Sequence, residues 1–165
     1  MDKFLYTRYR IGNGIDVHPL VKEKKLILGG VHIENKFGCD GYSDGDVLVH
    51  SIIDALLGAV QKGDIGDYFP SFDEKYKDIS SISLLPKIKE IISPWHLENI
   101  DSTIILQSPI LKPYIQDMKN NLYKDSILFN RHSISIKATT TDHLGFIGRG
   151  EGIAVLTTCL LSTTP

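Results

Sequence analysis

The chain has little cysteine, no excess of either charge and no long apolar run. Among its 165 residues only Cys39 and Cys159 are cysteines. Two cysteines alone build no evident disulfide framework or thiolate metal site, and they suit a reducing compartment. Lysine and arginine total 18 against 20 acidic residues, a formal net charge of -2. No basic surplus points to nucleic acid, and no acidic block points to a disordered tail. No apolar stretch reaches the roughly 20 residues that span a bilayer, so no membrane partner is expected. Met1 to Arg10 has no apolar signal core and is too short for a typical transit peptide, which leads to a soluble, cytoplasmic protein as the expectation. Repeats, low-complexity tracts and linkers are missing as well. The length suits one domain, residues 1–165, with a full core.

What is there centres on Gly41-Tyr42-Ser43-Asp44-Gly45-Asp46-Val47-Leu48-Val49-His50. An acidic, turn-rich opening runs into an apolar helix, which Ser43 or Asp44 is expected to cap. Val47, Leu48, Ile52, Ile53, Leu56, Leu57 and Val60 recur at helical spacing and define a core face. Asp46, His50 and Asp54 are four apart and share another stripe. A histidine between two acids fits a metal ligand with carboxylate support. From this stretch alone a solvated polar stripe is the preferred reading.

Tyr9 to His18 alternates as a strand interrupted by Gly12 and Gly14, with Asp16 and His18 two apart on one face. Lys25 to Ile33 reads as strand, turn, strand, with His32 at the surface. Asn35 to Tyr42 reads as a loop, and the first helix runs from about Asp44 to Gln61. Gly63 to Pro70 is an ordered loop. Ser80 to Ile92 is a second helix ended by Pro94, and Pro109 to Lys124 a third. Asn99 to Gln107, His132 to Thr141 and Gly152 to Leu161 read as strands. The pattern implies an α+β fold, a two-layer α/β sandwich with a mixed sheet and helices on one face.

Three polar sets stand out. Asp16, His18 and His50 form an Asp-His-His set that leaves a fourth tetrahedral position open, as a catalytic zinc requires. Imidazole and carboxylate favour zinc over calcium or magnesium. Thr139, Thr140, Thr141 and Asp142 end a strand, with hydroxyls for phosphate and a carboxylate for a hard cation. Gly145 to Gly152 offers amides and Arg149 to an anion. An Arg149–Glu151 pair in a tight turn is an equal reading of that last segment.

Five blocks in order then resemble one family: Arg10-Ile-Gly-Asn-Gly-Ile-Asp-Val-His18, Tyr42 to His50, Asp54-Ala-Leu-Leu-Gly-Ala59, Gly63-Asp-Ile-Gly66, and Lys137 to Ala154. The family is the 2-C-methyl-D-erythritol 2,4-cyclodiphosphate synthases of non-mevalonate isoprenoid biosynthesis in bacteria and plastids. The resemblance spans nearly the whole chain from Arg10.

The resemblance implies roles. Asp16, His18 and His50 hold zinc or another divalent transition metal, and Asp16 and His18 also meet the substrate. Tyr42 and Ser43 lie in a mobile loop over it. Asp64, Ile65 and Gly66, with Phe69, Pro70, Ser71, Phe72 and Asp73, match segments holding the methylerythritol phosphate. Leu106, Gln107, Ser108, Pro109, Ile110, Leu111 and Lys112, with Thr139, Thr140, Thr141 and Asp142, match the cytidine and diphosphate segments. Asp142 stands at the position for magnesium or manganese. Phe146 and Arg149 lie in a further contact block. A homotrimer with active sites between subunits is implied, and an isoprenoid diphosphate is a candidate partner for the trimer cavity.

Four positions depart from the common pattern. Tyr42 stands where histidine is usual; its hydroxyl can donate to phosphate but cannot carry positive charge near neutrality. Ser71 replaces an aspartate, Ile110 a frequent lysine and Asp142 a glutamate. The zinc set is untouched, so efficiency and affinity are affected more than reaction class.

The implied reaction is that of a metal-dependent phosphorus-oxygen lyase. The 2-phosphate of 4-diphosphocytidyl-2-C-methyl-D-erythritol 2-phosphate attacks the β-phosphorus and CMP leaves. Catalysis consists of aligning a flexible polyanion, with Thr140 and Tyr42 stabilising the transition state by hydrogen bonding. A metal-dependent phosphohydrolase and a non-enzymatic binding protein are the rival expectations.

Overall fold

A computed structural model describes residues 7–125, 128–130 and 132–164. The expectation about a signal segment therefore falls, for Met1 to Tyr6, outside the described residues. Strand β1 spans Arg8–Lys22, β2 Leu26–Leu28, β3 Val31–Ile33 and β4 Phe37–Cys39. Helix α1 covers Val47–Ala59 and α2 Ile65–Tyr68. Two single-turn 3-10 segments, Glu74–Tyr76 and Ser81–Leu84, lead into α3, Leu85–Ile92. Then come β5, His96–Ile105, a 3-10 turn at Lys112–Tyr114, α4, Ile115–Asp125, β6, Ile134–Thr139, α5, Gly145–Gly148, and β7, Gly152–Thr163.

The main sheet has the order β4-β1-β7-β5-β6, with β5 and β6 parallel and the other neighbours antiparallel. Strands β2 and β3 form a separate hairpin. The expected mixed sheet is therefore present. One face is covered: α1 lies on β1 and β7, and Ile52, Ile53, Leu56 and Leu57 are fully buried with Ile100, Ile104, Val155 and Leu161 of the sheet. Each large apolar side chain so buried contributes roughly 1.5–3 kcal/mol. On the opposite face Ile11 and Ile15 stay 69% and 65% exposed, and Leu156 is exposed beside them, an apolar strip left bare in the single chain.

Gly12 and Gly14 do not interrupt β1. A Cβ on Gly12 would fall on the Ala55 carbonyl oxygen and one on Gly14 on the Ser51 carbonyl oxygen. The glycines let α1 lie directly on the strand backbone, running antiparallel to it. Two residues along a strand advance roughly 6.7 Å and one helical turn roughly 5.4 Å, so the two ladders stay nearly in step. Gly12 faces Ala55 and Ala59, Gly14 faces Ser51 and Ala55, and the next inward residue, Asp16, meets His50.

Several boundaries differ from those read in sequence. Helix α1 starts at Val47, because Asp46, not Ser43 or Asp44, caps it by accepting from the Val49 amide. The expected helices from Ser80 and Pro109 both open as 3-10 turns, and the Asn35–Tyr42 loop contains β4. The last strand extends to Thr163, and the strand expected at His132–Thr141 is confined to Ile134–Thr139. Cys39 and Cys159 are buried core residues, and desolvation pushes their thiols up to about 12 and about 11. Among the described residues no helix is long and apolar enough to cross a membrane.

Candidate metal centre

Asp16 and His18 project from the same face of β1, as alternation requires, and His50 comes from the first turns of α1. Their potential ligand atoms all lie within 4.8 Å of one another. His18 Nε2 is 3.1 Å from Asp16 Oδ2, and His50 Nδ1 is 3.0 Å from the same oxygen. The outer nitrogens are also engaged. His18 Nδ1 donates to the Asp40 carbonyl oxygen at 2.7 Å. His50 Nε2 lies 2.9 Å from Ser81 Oγ and 3.1 Å from Ser43 Oγ.

This bonding tests the fit of a cation. A carbonyl can only accept, so the Asp40 contact puts the proton of a neutral His18 on Nδ1 and leaves a lone pair at Nε2. That lone pair points at a carboxylate oxygen. Two acceptors facing each other need a proton or a cation between them. The donor set, two imidazoles and one carboxylate, suits zinc or a similar divalent transition metal with an open fourth position. Electrostatics agree. Burial pushes the Asp16 carboxyl up, but hydrogen bonds and charge from His18 and His50 outweigh it and hold the group well below the usual carboxylate range. The hydrogen bond to Asp16 raises His18 above its ordinary value against the pull of desolvation. Among the described residues this is the one set of three or more histidine, cysteine or acidic side chains close enough to share an ion.

The α1 stripe is neither the solvated face preferred from sequence, since Asp46 is buried and His50 and Asp54 are half-buried, nor one site. Asp46 is fully buried and turned away from His50; its oxygens accept from the Gly29, Gly30 and Val49 amides, tying the β2–β3 turn to the helix start. Burial and the neighbouring Asp44 charge push its carboxyl up to about 6. Asp54 accepts from the Ile65 amide at 2.8 Å and fastens α2 to α1. The neighbour of His50 is Asp16, 34 residues away, which helical spacing cannot reveal.

The triad opens on a cavity of about 270 Å³. Tyr42, Ser43, Ile65, Gly66, Phe69 and Ser71, all expected from sequence, line it. Tyr76, Ile79 and Leu84 line it too and carried no sequence signal, because they are ordinary apolar residues in the segment after α2. Asp64, Pro70, Phe72 and Asp73 are not among the lining residues. Asp64 forms a capping box with Asp67 at the start of α2, Asp73 pairs with Lys75 at 2.6 Å, and Phe72 is 86% exposed.

A second groove, about 550 Å³, is lined by Leu106, Gln107, Pro109, Ile110, Leu111 and Lys112 on one side and by Thr139 and Thr140 on the other. Ile115 and Gln116 of α4 join it. Ser108 instead faces a third groove with His143 and Arg149. Thr140 Oγ1 donates to Asp142 Oδ1 at 3.3 Å, while Thr141 Oγ1 donates to the Leu144 carbonyl. Arg149 is held in a two-pronged ion pair with Glu151, at 2.8 and 2.9 Å, so the tight-turn reading of that segment is present. Phe146 is partly exposed beside Gly152. The triad cavity and the groove between Leu106–Lys112 and Thr139–Thr140 share no lining residue.

Fold and site together define a class: a mixed α+β protein with three side chains that could hold a metal ion in one pocket and a separate groove of about 550 Å³. Residues 9–162 match the YgbB family, and the chain belongs to that family. A 2-C-methyl-D-erythritol 2,4-cyclodiphosphate synthase of Clostridium acetobutylicum is 53% identical over 154 residues, covering 92% of this chain and 99% of the relative. Among solved structures, the bifunctional IspDF of Campylobacter jejuni superposes with a TM-score of 0.89 at 42% identity. That match covers 95% of this chain and 43% of the larger one. The IspF of Plasmodium falciparum in complex with CDP matches with a TM-score of 0.80 at 32% identity, over 94% of this chain and 97% of that one.

Proposed function

We propose that this chain converts 4-diphosphocytidyl-2-C-methyl-D-erythritol 2-phosphate to 2-C-methyl-D-erythritol 2,4-cyclodiphosphate in the bacterial cytoplasm, as a step of non-mevalonate isoprenoid precursor biosynthesis. The observation that carries this is the convergence of Asp16, His18 and His50 on a cavity in a chain 53% identical to a synthase of that name. An oxygen of the substrate's 2-phosphate forms a bond to the β-phosphorus. The bond from that phosphorus to the bridging oxygen breaks, and CMP leaves with that oxygen. No protein nucleophile takes part, so the protein's task is alignment.

Asp16, His18 and His50 would hold zinc. Asp142 would hold magnesium or manganese together with substrate phosphates, since such cations take one or two carboxylates and phosphate oxygens. The cations would neutralise charge on the phosphate oxygens and fix their in-line geometry. Thr140, which donates to Asp142 at 3.3 Å, would turn its hydroxyl onto the β-phosphoryl group as negative charge builds there. The Tyr42 hydroxyl, on a residue that lines the triad cavity, would donate to a substrate phosphate. Ile65, Gly66, Phe69 and Ser71 enclose the methylerythritol part, and the groove between Leu106–Lys112 and Thr139–Thr140 takes the cytidine.

The working unit is a homotrimer with sites shared between neighbours. Two observations support this. The bare apolar face at Ile11, Ile15 and Leu156 is a surface that association would cover. The triad on β1 and the threonines on β6 are separated by β7 and β5, roughly 14 Å of sheet, and open into different cavities. An isoprenoid diphosphate would be a candidate ligand for a cavity at the trimer's centre. Product mass spectrometry with the cytidyl substrate, zinc and magnesium tests the activity. Cyclic diphosphate plus CMP is expected; linear hydrolysis products, or no CMP, would replace this reading with a phosphohydrolase or a binding protein.

A further inference from the structure

The hydrogen bonding behind His50 goes beyond the metal ligands. Ser81 is fully buried in the 3-10 turn Ser81–Leu84 and does not line the cavity. Its hydroxyl donates to Asp44 Oδ1, and its amide donates to Asp44 Oδ2 at 3.1 Å. Asp44 also accepts from the Asp46 amide, and its own amide donates to the Ile79 carbonyl. The acid is thus fixed from several sides and acts only as an acceptor.

A hydroxyl has one proton. That of Ser81 is committed to a carboxylate, so toward His50 Nε2 at 2.9 Å the Ser81 oxygen can only accept. Nε2 must then carry the proton, which leaves Nδ1 of a neutral ring as the lone pair facing the metal position beside Asp16. Ser43 differs. Its hydroxyl is 3.1 Å from both Nε2 and Ser81 Oγ, and it faces the cavity, so it is free to turn toward a ligand.

We infer that Ser81, oriented by Asp44, is a positioning residue that holds the Nε2–H tautomer of His50 and so presents Nδ1 to the metal. The inference rests on the reading of Asp16, His18 and His50 as metal ligands. It assigns to Asp44 and Ser81 a chain of carboxylate, hydroxyl and imidazole in which each link fixes the next. Outer partners of this kind are worth about 10–100-fold in metal affinity.

The test uses the full chain, its Ser81→Ala and Asp44→Asn variants, and Ser83→Ala as a control on the same turn. Ser83 only donates to the Ser80 carbonyl and should bind zinc as the parent does. Chelator competition should show zinc bound about 10–100-fold more weakly by Ser81→Ala. Asp44→Asn sets an amide N–H₂ against the Ser81 hydroxyl or amide and should move affinity in the same direction, which keeps the test alive if Ser81→Ala fails to fold. Nitrogen-15 NMR of the metal-free protein gives the second readout. His50 should carry a proton on Nε2 in the parent and lose that preference in Ser81→Ala. Parent-like zinc affinity in both relay variants, or a bare Nε2 in the parent, would overturn the assignment. A parent that takes up no zinc but shows the Nε2 proton and its loss in Ser81→Ala would sink the metal reading and leave the positioning role standing.

Discussion

Asp16 Oδ2 lies 3.0 Å from His50 Nδ1, joining the middle of β1 to the opening of α1 across 34 residues of sequence. His18 Nε2 reaches the same oxygen at 3.1 Å. One carboxylate oxygen thus gathers both imidazoles, and the behaviour of the centre depends on all three side chains together.

Removing one member should empty the centre. His50→Ala leaves a carboxylate and one imidazole, too few for a tetrahedral site with three protein ligands. Metal analysis of the purified variant should show near-complete loss of zinc, with cyclisation abolished. Full zinc occupancy in that variant would show that the metal is held elsewhere.

The hydroxyl of Tyr42 should matter without any charge. Tyr42 lines the triad cavity where the family resemblance puts a histidine. A hydrogen bond to a charged group is worth roughly 1.5–3 kcal/mol, so Tyr42→Phe should lower turnover about 10–100-fold with zinc content unchanged. Unaltered steady-state kinetics would reduce the residue to a lid over the cavity.

Two inactive variants should complement each other. In the proposed trimer, His50→Ala and Asp142→Ala would each spoil every site of a uniform assembly. In a mixed trimer some neighbours pair an intact Asp16-His18-His50 set with an intact Thr139–Asp142 segment, as a head-to-tail ring allows. Unfolding and refolding the two together should restore a sizeable fraction of parent activity. No recovery, with mixed trimers verified by native mass spectrometry, would put both segments of a site on one chain.

Asp46 should make stability depend on pH. Its carboxyl is pushed up to about 6 by burial and by Asp44, above the 3.8 of a free aspartate. The folded state therefore binds this proton more tightly than the unfolded chain. The stabilisation is complete below about pH 4 and is lost as pH rises through about 6. Asp46→Asn removes that component, and its amide also opposes a backbone N–H at Gly29 or Gly30, so it should be less stable than the parent by about 1–3 kcal/mol. Urea unfolding at pH 4.5 and 7.5 should show the difference between parent and variant changing with pH; a constant difference would refute the assignment.

Local pattern was enough for much of this protein. Alternation along β1 set Asp16 and His18 on one face, helical spacing set the buried face of α1, and the order of five short blocks pointed to a family of cyclising synthases. These are properties of residues near one another in the chain, where the 2.0 and 3.6 periods apply. Spacing also misled. Asp46 and Asp54 fall on the His50 stripe, yet one is a buried helix cap and the other a tether for α2, because neighbouring backbone amides offered each a partner that periodicity does not encode. Gly12 and Gly14 look like breaks in a strand. Only the packed structure makes them the floor on which α1 rests, since their missing side chains matter through the carbonyls of Ala55 and Ser51. Tyr76, Ile79, Leu84 and the Ser81–Asp44 pair were likewise invisible in sequence. Their roles arise from contacts between segments that tertiary folding alone brings within reach.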